Sequence, residues 1–293
     1  MNEMMTNMRK QQKGQALVEL IALSMVLALL TLGTFQMALL YRDKATMNDA
    51  VFRAAREGAL RHAFKNPMRL KLVEGLTPLY VKNNPSYASY LAAQLTTLAE
   101  NMINPTTGAP ISSMAGVRID IISPNRAVFD AFSDRMYSLE DGCESRVRNN
   151  SNGNPSTRCR ERRYRQIPND NLNIRASTLR TVNVGGKEVQ LNLQDANLLK
   201  VKGYWCAPLI VPFANKIIYD VLMNIDPEVR INNRNPMLEA CRTKTVLNRI
   251  LSDAGATWRT YYIPITSDSV VRMQSPVRCE GDEVNGSNCT NLN

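Results

Sequence analysis

Glu19 places a carboxylate at the head of a long apolar run, and its distance from Gly14 is the first sign of chemistry in this chain. From Leu20 to Leu40 there are 21 residues without formal charge. As a helix they cover about 31 Å, enough for a hydrocarbon core of roughly 30 Å. An acid at mid-membrane costs roughly 2.5–3.5 kcal/mol on insertion scales, less near the interface, so Glu19 needs a partner. Cleavage after Gly14 supplies one: it frees an amine at Gln15 and makes Glu19 the fifth residue of the shortened chain. A buried carboxylate opposite an amine costs far less than one alone, so lateral assembly satisfies the charge and fixes axial register. Three readings of this N-terminus compete. A cleaved secretory signal has an apolar region of roughly 7–15 residues and a small-x-small site, and neither is present. A plain signal anchor, with Arg9, Lys10 and Lys13 on the cytoplasmic side, explains length and flanks but not Glu19. A short basic leader ending in Gly14 explains all three features.

Two further groups of residues could do chemistry. Arg146, Arg148, Arg158, Arg160, Arg162, Arg163 and Arg165 give seven arginines within twenty residues, in a chain of net charge +10. Such a block either binds an anionic surface (DNA, lipopolysaccharide, cell-wall polymer or an acidic protein) or is a solvated loop. Only Tyr164 offers a stacking aromatic inside it. Six cysteines, at positions 143, 159, 206, 241, 279 and 289, all follow the apolar run. An even count in that part suggests disulfides formed in an oxidising compartment. Six cysteines allow 15 pairings; sequence neighbours give the simplest, Cys143–Cys159, Cys206–Cys241 and Cys279–Cys289. The first closes the arginine segment, and the last ties down a Gly/Asn-rich tail.

Catalytic patterns are missing. No GxSxG, HExxH, Walker A or GxGxxG occurs, and His62 is the lone histidine. No CxxC accompanies it, so no metal or cofactor is expected. Asp120 and the Asp268/Ser269 pair invite comparison with a DxSxS cation site, but the run after Ile119 is Asp-Ile-Ile-Ser and its spacing fails, and Glu140/Asp141 read as solvated loop acids. The chain reads as a protease substrate, not an enzyme.

The elements that must carry these residues follow from periodicity. A helix from Gln15 continues beyond the apolar run, with Met47, Val51, Ala54, Ala55 and Ala59 at helical spacing, and Asn66-Pro67 is expected to end it. Residues 1–13 have no periodicity and are expected to be irregular or removed. Further helices are predicted over 70–81, broken at Pro78, over 87–101 with Leu91, Leu95 and Leu98 on one face, and over 127–137, 213–223 and 237–251. Strands are predicted over 117–122, 199–205, 258–265 and 269–273, with a hairpin around Gly185-Gly186. Strands that do not alternate one-for-one with helices predict an α+β fold, an antiparallel sheet laid against the long N-terminal helix.

The run GQALVELIALSMVLALLTLGTFQMALLYRDKATMNDAVFRAAREGA resembles the N-terminal segment of TadE-like proteins, minor pilins (pseudopilins) of the tight-adherence type IVb pilus system. The matching pieces are the basic leader, Gly14, the Val18-Glu19 pair, the apolar helix and its Ala/Arg-rich continuation. Weaker similarity lies in Tyr204–Phe213 and around Ile263–Ser275. The resemblance implies a leader over 1–14 cut by a prepilin peptidase, a transmembrane helix over 15–40, its periplasmic continuation over 41–66, and a periplasmic pilin-like α+β domain over 67–293. That domain includes the arginine loop 143–166 and the cysteine-tied tail 276–293. It further implies the bacterial inner membrane, with a cytoplasmic N-terminus, and as partners other pilins and the pilus assembly platform, with Glu19 and Gln15 in subunit docking. The rival from the residues themselves is an uncleaved, anchored periplasmic module that holds anionic polymer through its arginines.

Overall fold

The computed structural model describes residues 2–81, 86–112, 115–139, 161–170, 172, 178–184, 186–224, 237–255, 259–281 and 288–292. Helix α1 runs without a break over Asn2–Leu60. No proline precedes Pro67, so nothing in the sequence removes a hydrogen bond from it. Residues 2–13, expected irregular or removed, are helical here. The helix stops earlier than expected: His62 (φ 57°) and Ala63 (φ 61°) turn the chain left-handed, and the Ala63 N–H donates to the Gly58 carbonyl at 2.9 Å. Pro67 instead lies in the first turn of α2 (Lys65–Leu76), where a missing N–H costs nothing. Pro78 sits in the 3₁₀ turn Thr77–Tyr80 that follows.

The architecture is α+β, in two compact units: Met1–Ala45 with Cys206–Pro264, and Thr46–Trp205 with Ile265–Asn293. In the larger unit the expected stripe is the core. Met47, Ala50, Val51, Ala54 and Ala55 are fully buried. Strand β1 (Val117–Ser123) pairs antiparallel with the Leu198–Leu209 strand, here β6, with Val117 opposite Trp205 and Ile121 opposite Val201. Its Gly203 has no side chain because a Cβ there would stand 2.5 Å from Val51 Cγ2. Gly75 of α2 meets α1 just as closely, 2.6 Å from Ala50 Cβ and 2.7 Å from Ala50 Cα. Backbone cannot move aside as a flexible side chain does. Gly75→Ala should therefore destabilise by about 1–3 kcal/mol in denaturant unfolding, as overpacking does. An unchanged midpoint would mean that α1 and α2 are not in contact there.

Helix α3 (Tyr87–Glu100) begins at a Ser86–Ser89 capping box. Its leucine face is not the packed one: Leu98 is buried with Ala93 and Thr97, whereas Leu91 and Leu95 are exposed. The helix expected over 127–137 is cut short. α4 (Arg126–Phe132), capped by Asn125, gives way to β2 (Asp134–Leu139), because the arginine segment supplies that stretch with a partner. Glu161–Ile167 is strand β3, not loop, and pairs antiparallel with β2 on one side and with β8 (Val277–Arg278) on the other. The hairpin is present as β4 (Arg180–Val184) and β5 (Lys187–Leu191), with Gly186 at φ 86° in its turn. A short α5 (Leu193–Ala196) leads into β6, the middle strand of the order β1-β6-β7. The two closing strands expected are one, β7 (Tyr261–Arg272). Its polar centre does not break it, since Ser267 is buried and its hydroxyl donates to Asn48 Oδ1 at 2.8 Å.

The C-terminal tail of this unit docks on the turn that ends α1. Cys279–Cys289 closes a ten-residue loop, and Asn291 behind it is fully buried. Asn291 Nδ2 donates to the Ala63 carbonyl at 3.1 Å and the Arg278 carbonyl at 2.8 Å, and its Oδ1 accepts from the Glu280 N–H at 2.8 Å. Asn291→Ala strands three backbone groups and should cost about 2–3 kcal/mol, read as a fall in the denaturant midpoint. No change would mean that the tail is not docked.

In the smaller unit, α6 (Ala214–Asn224) and α7 (Leu238–Asp253) accompany the first part of α1. Cys206 and Cys241, both fully buried, form a disulfide that fastens α7 to β6. Thr245 continues the attachment: its hydroxyl donates to the Cys241 carbonyl at 2.9 Å and accepts from the Tyr262 N–H at 3.0 Å.

Candidate functional site

The stretch with functional character is the first half of α1. Among the described residues it contains the one helix long and apolar enough to cross a membrane. Leu17, Val18, Leu20 and Ile21 are all more than half exposed, and Glu19 stands exposed among them. Gly14 and Gln15 lie within α1, but their side chains fall outside the described residues. Seventeen residues on from Glu19, at 3.6 residues per turn, Gln36 lies about 100° away around the helix. Glu19 is therefore off the face that the chain itself buries. A carboxylate so placed, in an apolar surround, is suited to pairing with a cation.

Gln36 is the residue that sequence reasoning missed. It sits inside the uncharged run yet is fully buried, and its Oε1 accepts from the Val211 N–H at 2.9 Å. One signal was available: Gln36, Asp43, Met47 and Ala50 repeat at helical spacing, so the buried face begins well before the first charge. Asp43 continues it at 2% exposure, held by the Arg42 guanidinium at 2.8 Å. Burial dominates over Arg42 and pushes the Asp43 carboxyl above its ordinary value. A raised carboxyl pKa means that the fold binds the proton more tightly than the unfolded chain, so stability is lost as pH rises past the ordinary carboxylate range. Asp43→Asn is accordingly expected to raise the unfolding midpoint at neutral pH and to lose that advantage near pH 3–4. A lower midpoint at pH 7 would show the Arg42 pair to dominate instead.

The arginine candidates divide. Arg146, Arg148, Arg158 and Arg160, with Cys143 and Cys159, lie outside the described residues. Arg162 and Arg163 are on β3, opposite Ser138 and Tyr137 of β2, with side chains likewise outside them. Arg165 is committed internally. It donates to Ser133 Oγ at 2.7 Å, pairs with Asp130 at 3.4 Å, and lies 5.6 Å from the Phe129 ring centre. In register with it stands exposed Arg135, a like charge directly across the ladder.

His62 is structural: its Nδ1 donates to the Pro276 carbonyl at 2.8 Å, and its own N–H donates to Ser275 Oγ. No group of three or more acidic, histidine or cysteine side chains suited to a metal occurs among the described residues. A cleft of about 220 Å³ between Phe132, Asp134, Pro168, Thr178, Arg180 and Leu193 is smaller than the roughly 300–1,000 Å³ of small-molecule sites. Arg180 fills part of it, stacked on Phe132 and bonded to the Ala131 carbonyl.

No curated protein and no solved structure matches the chain. Residues 14–56, from Gly14 to just past the buried Ala54-Ala55 pair, match the family model of TadE-like proteins, and in this segment the chain is similar to that family.

Proposed function

We propose that this protein is a membrane-anchored minor pilin, or pseudopilin, that takes part in assembly, initiation or tip formation of a tight-adherence type IVb pilus. The observation that carries the reading is the spacing of Gly14, Gln15 and Glu19 inside the TadE-like segment. A prepilin peptidase cuts between Gly14 and Gln15, and the new amine pairs with Glu19 of a neighbouring subunit. The basic N-terminus faces the cytoplasm and the rest of the chain the periplasm, a side on which Cys206–Cys241 and Cys279–Cys289 are chemically at home. Its partners are other pilins, the assembly platform and the peptidase. The test is the mature N-terminus of protein from the native membrane, by intact mass. A start at Gln15 is expected; a start at Met1 would reduce α1 to a plain signal anchor.

A second reading takes up the exposed Arg135, which lies on β2 in the sheet shared with Arg162 and Arg163 of β3. On it, the sheet and the arginines that precede it hold an anionic polymer such as DNA or lipopolysaccharide. Replacing Arg162 and Arg163 by Gln should weaken retention and flatten its dependence on salt, because each phosphate contact releases counterions. Retention unaltered at physiological salt would remove this reading.

A further inference from the structure

The smaller unit exposes apolar side chains in one orderly row. Phe213 is 74% exposed, and Ile217 and Val221 follow it at helical spacing along α6, each about half exposed. Ile210, just before the turn into that helix, is 56% exposed. Phe213 also holds a left-handed backbone (φ 65°), which a bulky side chain rarely adopts, and the turn is fixed by the Asn215 N–H donating to the Val211 carbonyl at 3.0 Å. A strained turn that aims a phenylalanine outward is unusual on a surface that meets only water.

The depth of this row is set by a single contact. The Gln36 side chain of α1 receives the Val211 N–H, so the turn 210–213 is level with Gln36 or deeper, as helical side chains lean toward the N-terminus. Exposed Tyr41, followed by Arg42, marks the end of the apolar run and has the character of an interfacial aromatic. Five residues of helix separate Gln36 from Tyr41, about 7.5 Å. Amphipathic helices lying in a membrane interface bury their apolar face by about 5–10 Å. The two depths agree.

We propose that Ile210, Phe213, Ile217 and Val221 form a second, monotopic membrane contact, seated in the outer leaflet of the same bilayer that α1 crosses. The inference rests on α1 being a membrane helix, and it names lipid as the occupant because the row lies at the height of the apolar run. The charges beside the row fit an interface: Lys216 and Asp220 neutralise each other at 2.6 Å along its edge. Exposed Arg242 and Arg249 of α7, in the same unit, border a further apolar group of Val246, Leu247 and Ile250 and suit anionic headgroups. The chain is thereby held to the membrane at two points, which limits how α1 can rotate about its own axis.

The test uses the full chain in vesicles of phosphatidylethanolamine and phosphatidylglycerol, with part of the lipid brominated on its acyl chains. Alkaline carbonate extraction comes first, because release of the protein would overturn the membrane helix itself. With the protein retained, Phe213→Trp is compared with the parent, whose Trp205 and Trp258 give the background. The added emission should be blue-shifted, lose most of its intensity to brominated lipid, and be insensitive to aqueous iodide. Quenching by iodide alone would place the row in water, and resistance to both quenchers would place it under protein, such as a second copy of the chain. Either result overturns the proposal. Ile217→Trp repeats the measurement should Phe213→Trp fail to fold.

Discussion

Glu19→Ala should leave the protein inserted and processed but reduce surface pili to background. The reasoning is electrostatic. A carboxylate among exposed Leu17, Val18, Leu20 and Ile21 is unfavourable in lipid, and on the proposed docking a neighbour's Gln15 amine would lower that penalty when subunits associate. In the proposed assembly the pair would act as a register lock between subunits. Glu19→Gln, which keeps shape and loses charge, should fail almost as fully, whereas Glu19→Asp should retain partial piliation. Intact mass separates the outcomes: a mature mass with no pili supports docking, and retention of the leader would move the effect to the peptidase. Normal piliation of correctly processed Glu19→Ala would sink the docking role.

The largest effect on stability is expected at Cys206–Cys241. Its sequence separation of 35 gives, by the loop-entropy argument, a contribution of about 3–4 kcal/mol, against roughly 2.5–3 kcal/mol for the ten-residue closure at Cys279–Cys289. A typical domain has a net stability of about 5–15 kcal/mol, so the first loss removes a large share. The double variant Cys206→Ala/Cys241→Ala should unfold at a markedly lower denaturant concentration and lose the α7 attachment through Thr245 first. An unchanged midpoint would show that β6 and α7 are held by packing alone.

The helices were legible where apolar residues kept one period, and the hairpin where two glycines interrupted two alternating runs. Sequence pattern failed where a partner decided the state. Residues 134–139 carry no strong strand signal, and neither do the arginines of β3, yet each supplies the other's hydrogen bonds. Leu91 and Leu95 show the converse: their spacing is correct for a helix, but spacing does not say which face meets the core, and small Ala93 and Thr97 meet it. The end of α1 was misplaced for a related reason, since proline is excluded from a helix interior and accepted in a first turn. At the N-terminal segment, the resemblance over residues 14–56 was legible directly because it depends on spacing in one dimension. Gln36 was not, because its partner Val211 is 175 residues away.

Ala63 and Asn291 meet across a separation of 228 residues, so the turn that closes α1 is completed by a far later part of the chain. Synthesis proceeds from the N-terminus, and contacts this distant in sequence are slow to form. A chain made only as far as the sheet can build α1, but it leaves the carbonyls of Ala63 and Arg278 without the Asn291 amide that donates to them. The end of the helix is thus sealed late: its closing contact waits for a segment more than two hundred residues further on.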